Sequence, residues 1–226
     1  MRTQTFTSLS ILFIALLLVA CGPDPLQNED DWVVGQSLAS IPFQDPSDFE
    51  TGNYPDSNAS LSIEEGRYVI RQGGERNAYI WGQADPSAQN VQVEVQAQPR
   101  SDYANDLYGV LCRVNETGAG YAFVVSSDGF GGIARTDGRS LVFLADWREH
   151  DAIQTGQNRN TIRAICVDDY LALYVNDEWV ADVRDSTYPD PGQVGLLAGL
   201  LIEVNIDPQP IEVGFDDLTV TDIAFP

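Results

Sequence analysis

From Ile41 to the C-terminus, apolar residues come in short alternating runs, each cut off by a turn signal. Val91-Gln-Val-Glu-Val-Gln-Ala97 alternates strictly, which puts apolar side chains on one face of a pleated strand and polar ones on the other. Leu61-Ser-Ile-Glu-Glu-Gly-Arg-Tyr-Val-Ile-Arg71 reads as two such runs joined through Glu64-Glu65-Gly66, a hairpin signature. Further strands are expected at Leu107–Val114, Gly120–Ser126, Gly131–Arg135, Leu141–Ala145, Thr161–Val167, Tyr170–Val175, Glu178–Arg184, Val194–Leu200 and Glu212–Ile223. Turn residues punctuate them at Asn115–Gly118, Asp128-Gly129, Asp137-Gly138, Val167-Asp168-Asp169 and Asn176-Asp177. No long segment sustains the apolar period of about 3.6 residues that a helix needs, so helix is confined to a turn or two near Trp147–Ile153. Many short strands with regular turns restrict the fold to an all-β sandwich or barrel.

The first forty residues do not follow this pattern. Arg2 precedes an uncharged apolar run, Ile11 to Ala20, which is too short to span a bilayer and has the character of a secretory signal core. It ends at Leu18-Val19-Ala20-Cys21, which resembles the lipobox of bacterial lipoproteins. That resemblance implies cleavage before Cys21 and lipidation of its sulfur; an ordinary signal peptide with a chance cysteine, or an N-terminal membrane anchor, is the alternative. Residues 22–40 open with Gly22, Pro23, Pro25 and an acidic cluster and read as a flexible spacer, with Trp32-Val33-Val34 as an apolar spot within it. The expected division is a signal over 1–20, a lipidated linker over 21–40 and one domain over 41–226. The expected address is the bacterial cell envelope, outside the cytoplasm, with the lipid as the membrane contact.

Charge narrows the partners. The formal net charge is −22, and all twelve basic residues are arginine. Nucleic-acid binding needs clustered positive charge and is not expected. Besides Cys21 the chain has Cys112 and Cys166, an even pair in an oxidising compartment. Both sit inside strand-like apolar runs, which suits a staple between strands; two buried free thiols are the alternative. The parity sets Tyr108, Val110, Cys112, Val114 and Ile162, Ala164, Cys166 must then face each other. One histidine and no paired-cysteine spacing make zinc improbable.

The C-terminal half carries a recognisable succession: Asn160-Thr-Ile-Arg, Leu171-Ala-Leu-Tyr-Val-Asn176-Asp177, Gly192-Gln-Val-Gly195-Leu and Val213-Gly-Phe-Asp216-Asp-Leu-Thr-Val220. In order and spacing it resembles the concanavalin A-like lectin/glucanase superfamily, nearest the laminin G-like and 3-keto-disaccharide-hydrolase-type domains. The resemblance implies a jelly-roll sandwich of two curved antiparallel sheets. The retaining glucanases of that superfamily carry an E-x-D-x-x-E or E-x-D-x-E strand, with carboxylates on one face flanking the scissile bond. No such string occurs here; Glu94 stands alone on its strand.

Sugar-binding surfaces use exposed aromatic faces with a few polar partners. The residues that fit are Trp81, Tyr103, Tyr108 and Trp147, with Asp102, Arg113 and Arg148 as polar partners. In many jelly-roll modules a structural calcium is held near the closing strand. The matching carboxylates here are Asp216 and Asp217, with Asp45, Asp48 and Glu50 from the N-terminal segment. The leading expectation is a non-catalytic, membrane-tethered, lectin-like module that binds a glycan or an envelope protein. Two alternatives stand beside it. One is a glycoside-cleaving enzyme using Glu149 or His150 with Arg113 or Asp102; the other is a structural or assembly role in the envelope.

Overall fold

The computed structural model describes residue 26 and residues 31–74, 78–201 and 207–226. Cys21, the signal segment and most of the spacer lie outside the described residues. In chain order the strands are β1 (Val33–Ile41), β2 (Gly52–Tyr54), β3 (Ala59–Glu64), β4 (Arg67–Gln72), β5 (Tyr79–Ala88) and β6 (Val91–Pro99). They continue as β7 (Asp106–Val114), β8 (Ala119–Val125), β9 (Phe130–Asp137), β10 (Leu141–Phe143) and β11 (Arg148–Glu149). The last are β12 (Asn160–Val167), β13 (Tyr170–Val175), β14 (Glu178–Arg184), β15 (Gly192–Leu200) and β16 (Ile211–Ala224). Among the described residues helix is confined to 3₁₀ geometry, in the turn Pro55–Ser57 and at the single residue Asp31.

The strands form two antiparallel sheets. One runs β14-β13-β12-β6-β16-β4-β3-β2, with β1 also pairing β16; the other runs β10-β9-β8-β7-β15-β5, with β11 also pairing β9. Register follows the apolar pattern. Val91, Val93 and Val95 of β6 stand opposite Cys166, Ala164 and Ile162 of β12, so one apolar row crosses both strands toward the core. The hairpins form where the turn residues allow. Glu65 and Gly66 both take positive φ (52° and 74°), as do Asn176 and Asp177 (52° and 67°). That is the geometry whose twist matches two flanking antiparallel strands.

Two bulges reverse the inward parity within a strand. At Asp217 (φ 51°) the β16–β6 register shifts, so Phe215 and Leu218 both face the core and Ile223 faces outward. At Arg113 (φ 53°) the β15–β7 register shifts likewise. Val114 therefore leaves the face of Tyr108, Val110 and Cys112 and joins the outer cluster, against its expected side. Cys112 and Cys166 form a disulfide across the two sheets, 54 residues apart in sequence and fully buried.

The spacer is shorter than its composition suggests. Val33–Ser40, expected to be flexible, joins Ile41 in a strand that pairs with Leu218–Ala224 of β16 beyond the end of β4. Trp32 is 6% exposed and lies 5.9 Å from the Tyr170 ring and 6.5 Å from that of Tyr174, which fastens the start of β1. The helical turns expected near Trp147–Ile153 are instead the two-residue strand β11 and a turn.

The outer face of the smaller sheet is deeply curved. Tyr79, on the terminal strand β5, hydrogen-bonds Thr136 Oγ1 on β9 at 2.5 Å. On a flat sheet those strands, four steps apart, would be about 19 Å from one another. A tyrosine can bridge them only because the sheet curls. Leu107, Leu111, Ala122, Val124, Ala134 and Leu197 line that face and are fully buried beneath Tyr79, Trp81, Phe143 and Trp147.

Candidate functional site

At the β5 edge the two sheets leave a cleft of about 340 Å³, lined by Glu50, Tyr54, Gln72, Tyr79, Trp81, Gln83 and Glu116 among others. Gln72 comes from the end of β4, and three other segments bring the remaining residues together, each held by local chemistry. Asp45 Oδ1 accepts the Ser47 N–H (2.8 Å) and hydroxyl (2.7 Å), which turns the chain before Phe49. Phe49 then packs 4.7 Å from the Tyr68 ring, and the neighbouring Glu50 faces out. Tyr68 donates its hydroxyl to the Glu50 carbonyl at 2.7 Å, and the Gln83 N–H donates to the Glu50 carboxylate at 3.3 Å. The Tyr54 ring folds over Gly52, where a Cβ would lie 2.7 Å from its hydroxyl oxygen. Any other residue at position 52 would push that ring aside.

The third segment is the β7–β8 turn. Asn115 Oδ1 accepts from Thr117 N–H (2.9 Å), Thr117 hydroxyl (2.7 Å) and Ala119 N–H (3.1 Å), and Gly118 takes φ +80°. A Cβ on Gly118 would lie 2.2 Å from Trp81 Cζ2, so the turn lies directly on the indole and holds Glu116 beside it. Tyr79 and Trp81 alternate along β5, so they share a face, with ring centroids 6.0 Å apart. The carboxylates of Glu50 and Glu116 make the cleft electronegative. Gln83 Oε1 is buried with no hydrogen-bond partner among the described residues. Burial, and then the Glu50 charge, raises the Tyr54 hydroxyl above its ordinary pKa.

The residues expected to form one sugar surface lie in separate places. Trp81 is in the cleft. Asp102 and Tyr103 border a smaller hollow of about 160 Å³ with Ser127 and Gln157, where Gln157 Nε2 donates to Asp102 at 2.5 Å. Trp147 stacks on Phe130 (6.1 Å) and tilts against Phe143 (5.2 Å). Arg148 lies 5.7 Å over the Trp179 ring and donates to the Val180 carbonyl. Two expectations are corrected by burial. Tyr108 is fully buried and its hydroxyl accepts from Asn160 Nδ2 at 3.0 Å. Arg113 is 3% exposed and donates to the Gln89 and Tyr188 carbonyls. Neither can meet a ligand, because strand β7 runs through the middle of its sheet and is buried on both faces.

The calcium set does not assemble. Asp45 and Asp48 are taken up by their own turn, Asp216 faces Arg67 at 3.7 Å and Asp217 accepts from Gln96 at 2.9 Å. Among the described residues no group of three or more His, Cys, Asp or Glu converges as a metal would require. Glu50, read with that set, belongs to the cleft instead.

Of the acid/base set considered for a glycosidase, Arg113 lies apart from Glu149 and His150, while Asp102 borders the small hollow beside Ser127 and Gly156. His150 Nδ1 accepts the Ala152 N–H at 3.1 Å, and Glu149 pairs with Phe130 at the end of the sheet where Tyr108 lies. Arg113 is five residues further along β7, about 17 Å away at the strand rise.

The most perturbed carboxyl lies away from the cleft. Asp106 is 1% exposed, and burial pushes its pKa up to about 7 even though the Ser127 hydroxyl (2.6 Å) and N–H (2.7 Å) both donate to it.

Tyr54, Tyr79, Gln83 and Glu116 were not foreseen. Tyr79 was within reach of sequence reasoning, as the i−2 neighbour of Trp81 on one strand face. Gln83, the i+2 neighbour of Trp81 on the same strand, was equally within reach, whereas Tyr54 and Glu116 reach the cleft from different segments, through contacts that no local pattern encodes.

No family model matches the sequence, and no curated protein matches it. Solved structures do share its architecture. The carbohydrate binding module CBM66 from Bacillus subtilis superposes with a TM-score of 0.60 at 15% identity, over 77% of this chain and 95% of that one. LamA from Z. galactanivorans in complex with laminaritriose and laminaritetraose gives 0.56 at 11% identity, over 84% and 100%. The Bacillus licheniformis beta-glucanase gives 0.56 at 10% identity, over 83% and 99%. The chain therefore has the two-sheet jelly-roll sandwich fold that the resemblance of its C-terminal motifs implies.

Proposed function

We propose that this chain is a membrane-tethered module of the cell envelope, lectin-like and non-catalytic, that holds a glycan in the cleft beside Trp81. The cleft itself carries the reading. Trp81, Tyr79 and Tyr54 offer ring surface, and Glu50, Gln83 and Glu116 offer hydrogen-bonding groups in the same hollow. Pyranose C–H faces stack on such rings while their hydroxyls take the polar contacts. Structures of the same fold named as a carbohydrate binding module, or bound to laminari-oligosaccharides, support a glycan as the ligand class. The absence of a paired-carboxylate strand in the sequence and the burial of Arg113 away from Glu149 and His150 support binding without cleavage. Leu18-Val19-Ala20-Cys21 supports the tether and the address outside the cytoplasm.

The test is a glycan array probed with the full chain in detergent, beside Trp81→Ala. The expected result is selective binding that the substitution abolishes. Silence across the array, or binding that survives Trp81→Ala, contradicts the proposal. The tether is read from membrane fractions: Cys21→Ser should move the protein out of the membrane pellet, and retention would count against lipidation.

A further inference from the structure

The charge of the cleft points to a narrower ligand class than its rings alone. Glu50 and Glu116 both line the hollow, and no basic side chain among the described residues does so. Both are exposed, and Glu50 takes up only a long contact from the Gln83 N–H, 3.3 Å. The other arginine–carboxylate contacts of this part of the molecule lie elsewhere: Arg71 bonds Glu64 and Glu212, and Arg100 bonds Glu212. The rings of Tyr54, Tyr79 and Trp81 complete the lining, and aromatic faces attract cations through their negative quadrupole.

We infer that the cleft selects an amine-bearing sugar, a glucosamine-type unit whose ammonium is held by Glu50 and Glu116 against the aromatic rings. This rests on the glycan-binding reading above and names the ligand class. A uronic acid or other anionic sugar is repelled by the same carboxylates, and a neutral sugar gains stacking without the charge.

The experiment is calorimetric titration of the full chain, at low salt, with three probes of one length and linkage. They are a glucosamine trimer, its N-acetylated counterpart and a glucose trimer. The amine trimer should bind about tenfold more tightly than either neutral one, a gap that closes as salt screens the carboxylates. Glu50→Gln with Glu116→Gln should bring the ratio close to one, through a loss of affinity for the amine trimer larger than any change for the neutral ones. Both positions are exposed, so the double variant should keep the fold, which its thermal transition checks. Equal affinities for the three probes overturn the inference and leave glycan binding standing. A preference that survives the double variant also overturns it, since the attraction then comes from the net charge of −22 and not from the cleft. Failure of all three probes, with a silent array, overturns both readings.

Discussion

Replacing Asp106 with asparagine should stabilise the protein, and only above acidic pH. Asp106 is 1% exposed, and burial, helped by the charge of Asp128, lifts its pKa from the ordinary 3.8 to about 7. The unfolded chain releases this proton near pH 4, and the folded chain keeps it until near pH 7. Between those values the unfolded state binds fewer protons, so rising pH favours unfolding, and above pH 7 the cost is constant. A difference of about three pKa units corresponds to roughly 4 kcal/mol, taken as an order of magnitude. Asparagine is close to isosteric: its Oδ1 can accept the Ser127 N–H, and its Nδ2 can donate to the Ser127 hydroxyl once that hydroxyl rotates. Urea unfolding of both proteins from pH 4 to pH 8 isolates the term, because every other titrating group is common to the two. The stability of Asp106→Asn minus that of wild type should climb by a few kcal/mol across this window and then level off. A difference that stays flat, or falls as pH rises, would refute the argument that burial outweighs the Ser127 hydrogen bonds.

Two further perturbations test the frame around the cleft. Reducing the Cys112–Cys166 bridge releases a 54-residue loop in the unfolded state, which should cost about 4 kcal/mol; urea midpoints that coincide with and without reductant would contradict this. Gly118→Ala puts a methyl group at φ +80° and 2.2 Å from the Trp81 ring, so it should destabilise by at least about 1 kcal/mol and red-shift tryptophan emission as the indole is lifted. An unchanged spectrum would mean that the turn does not hold Trp81.

Much of the sandwich was legible because its signals are local. Val91, Val93, Val95 and Ala97 read as one face and are one face; Tyr170–Val175 and Glu178–Arg184 occupy the spans that the alternation and the Asn176-Asp177 turn mark out. What escaped depends on tertiary contact. Nothing in Val33–Ile41 signals that β16 extends past β4 and offers an open edge. Nothing in an arginine announces the positive φ of Arg113, so the side taken by Val114 was read from a parity that breaks one residue earlier. The site divides in the same way. Trp81 could be singled out by type and strand position, but Tyr54 and Tyr108 look equivalent in sequence, and only their places in the two sheets separate an edge residue that is 38% exposed from a fully buried one. Glu116 reaches Trp81 through a turn whose closeness depends on Gly118, a contact formed only in the folded chain.

The central claim is a location, and hydrogen exchange with and without the tightest-binding oligosaccharide from the array tests it directly. Saturating ligand should slow exchange in the segments that line the cleft: residues 50–59, 78–83 and 115–119. Protection confined to the hollow around Asp102, Tyr103 and Gln157, or to the surface around Arg148 and Trp179, would contradict the account by placing the ligand elsewhere on the same fold.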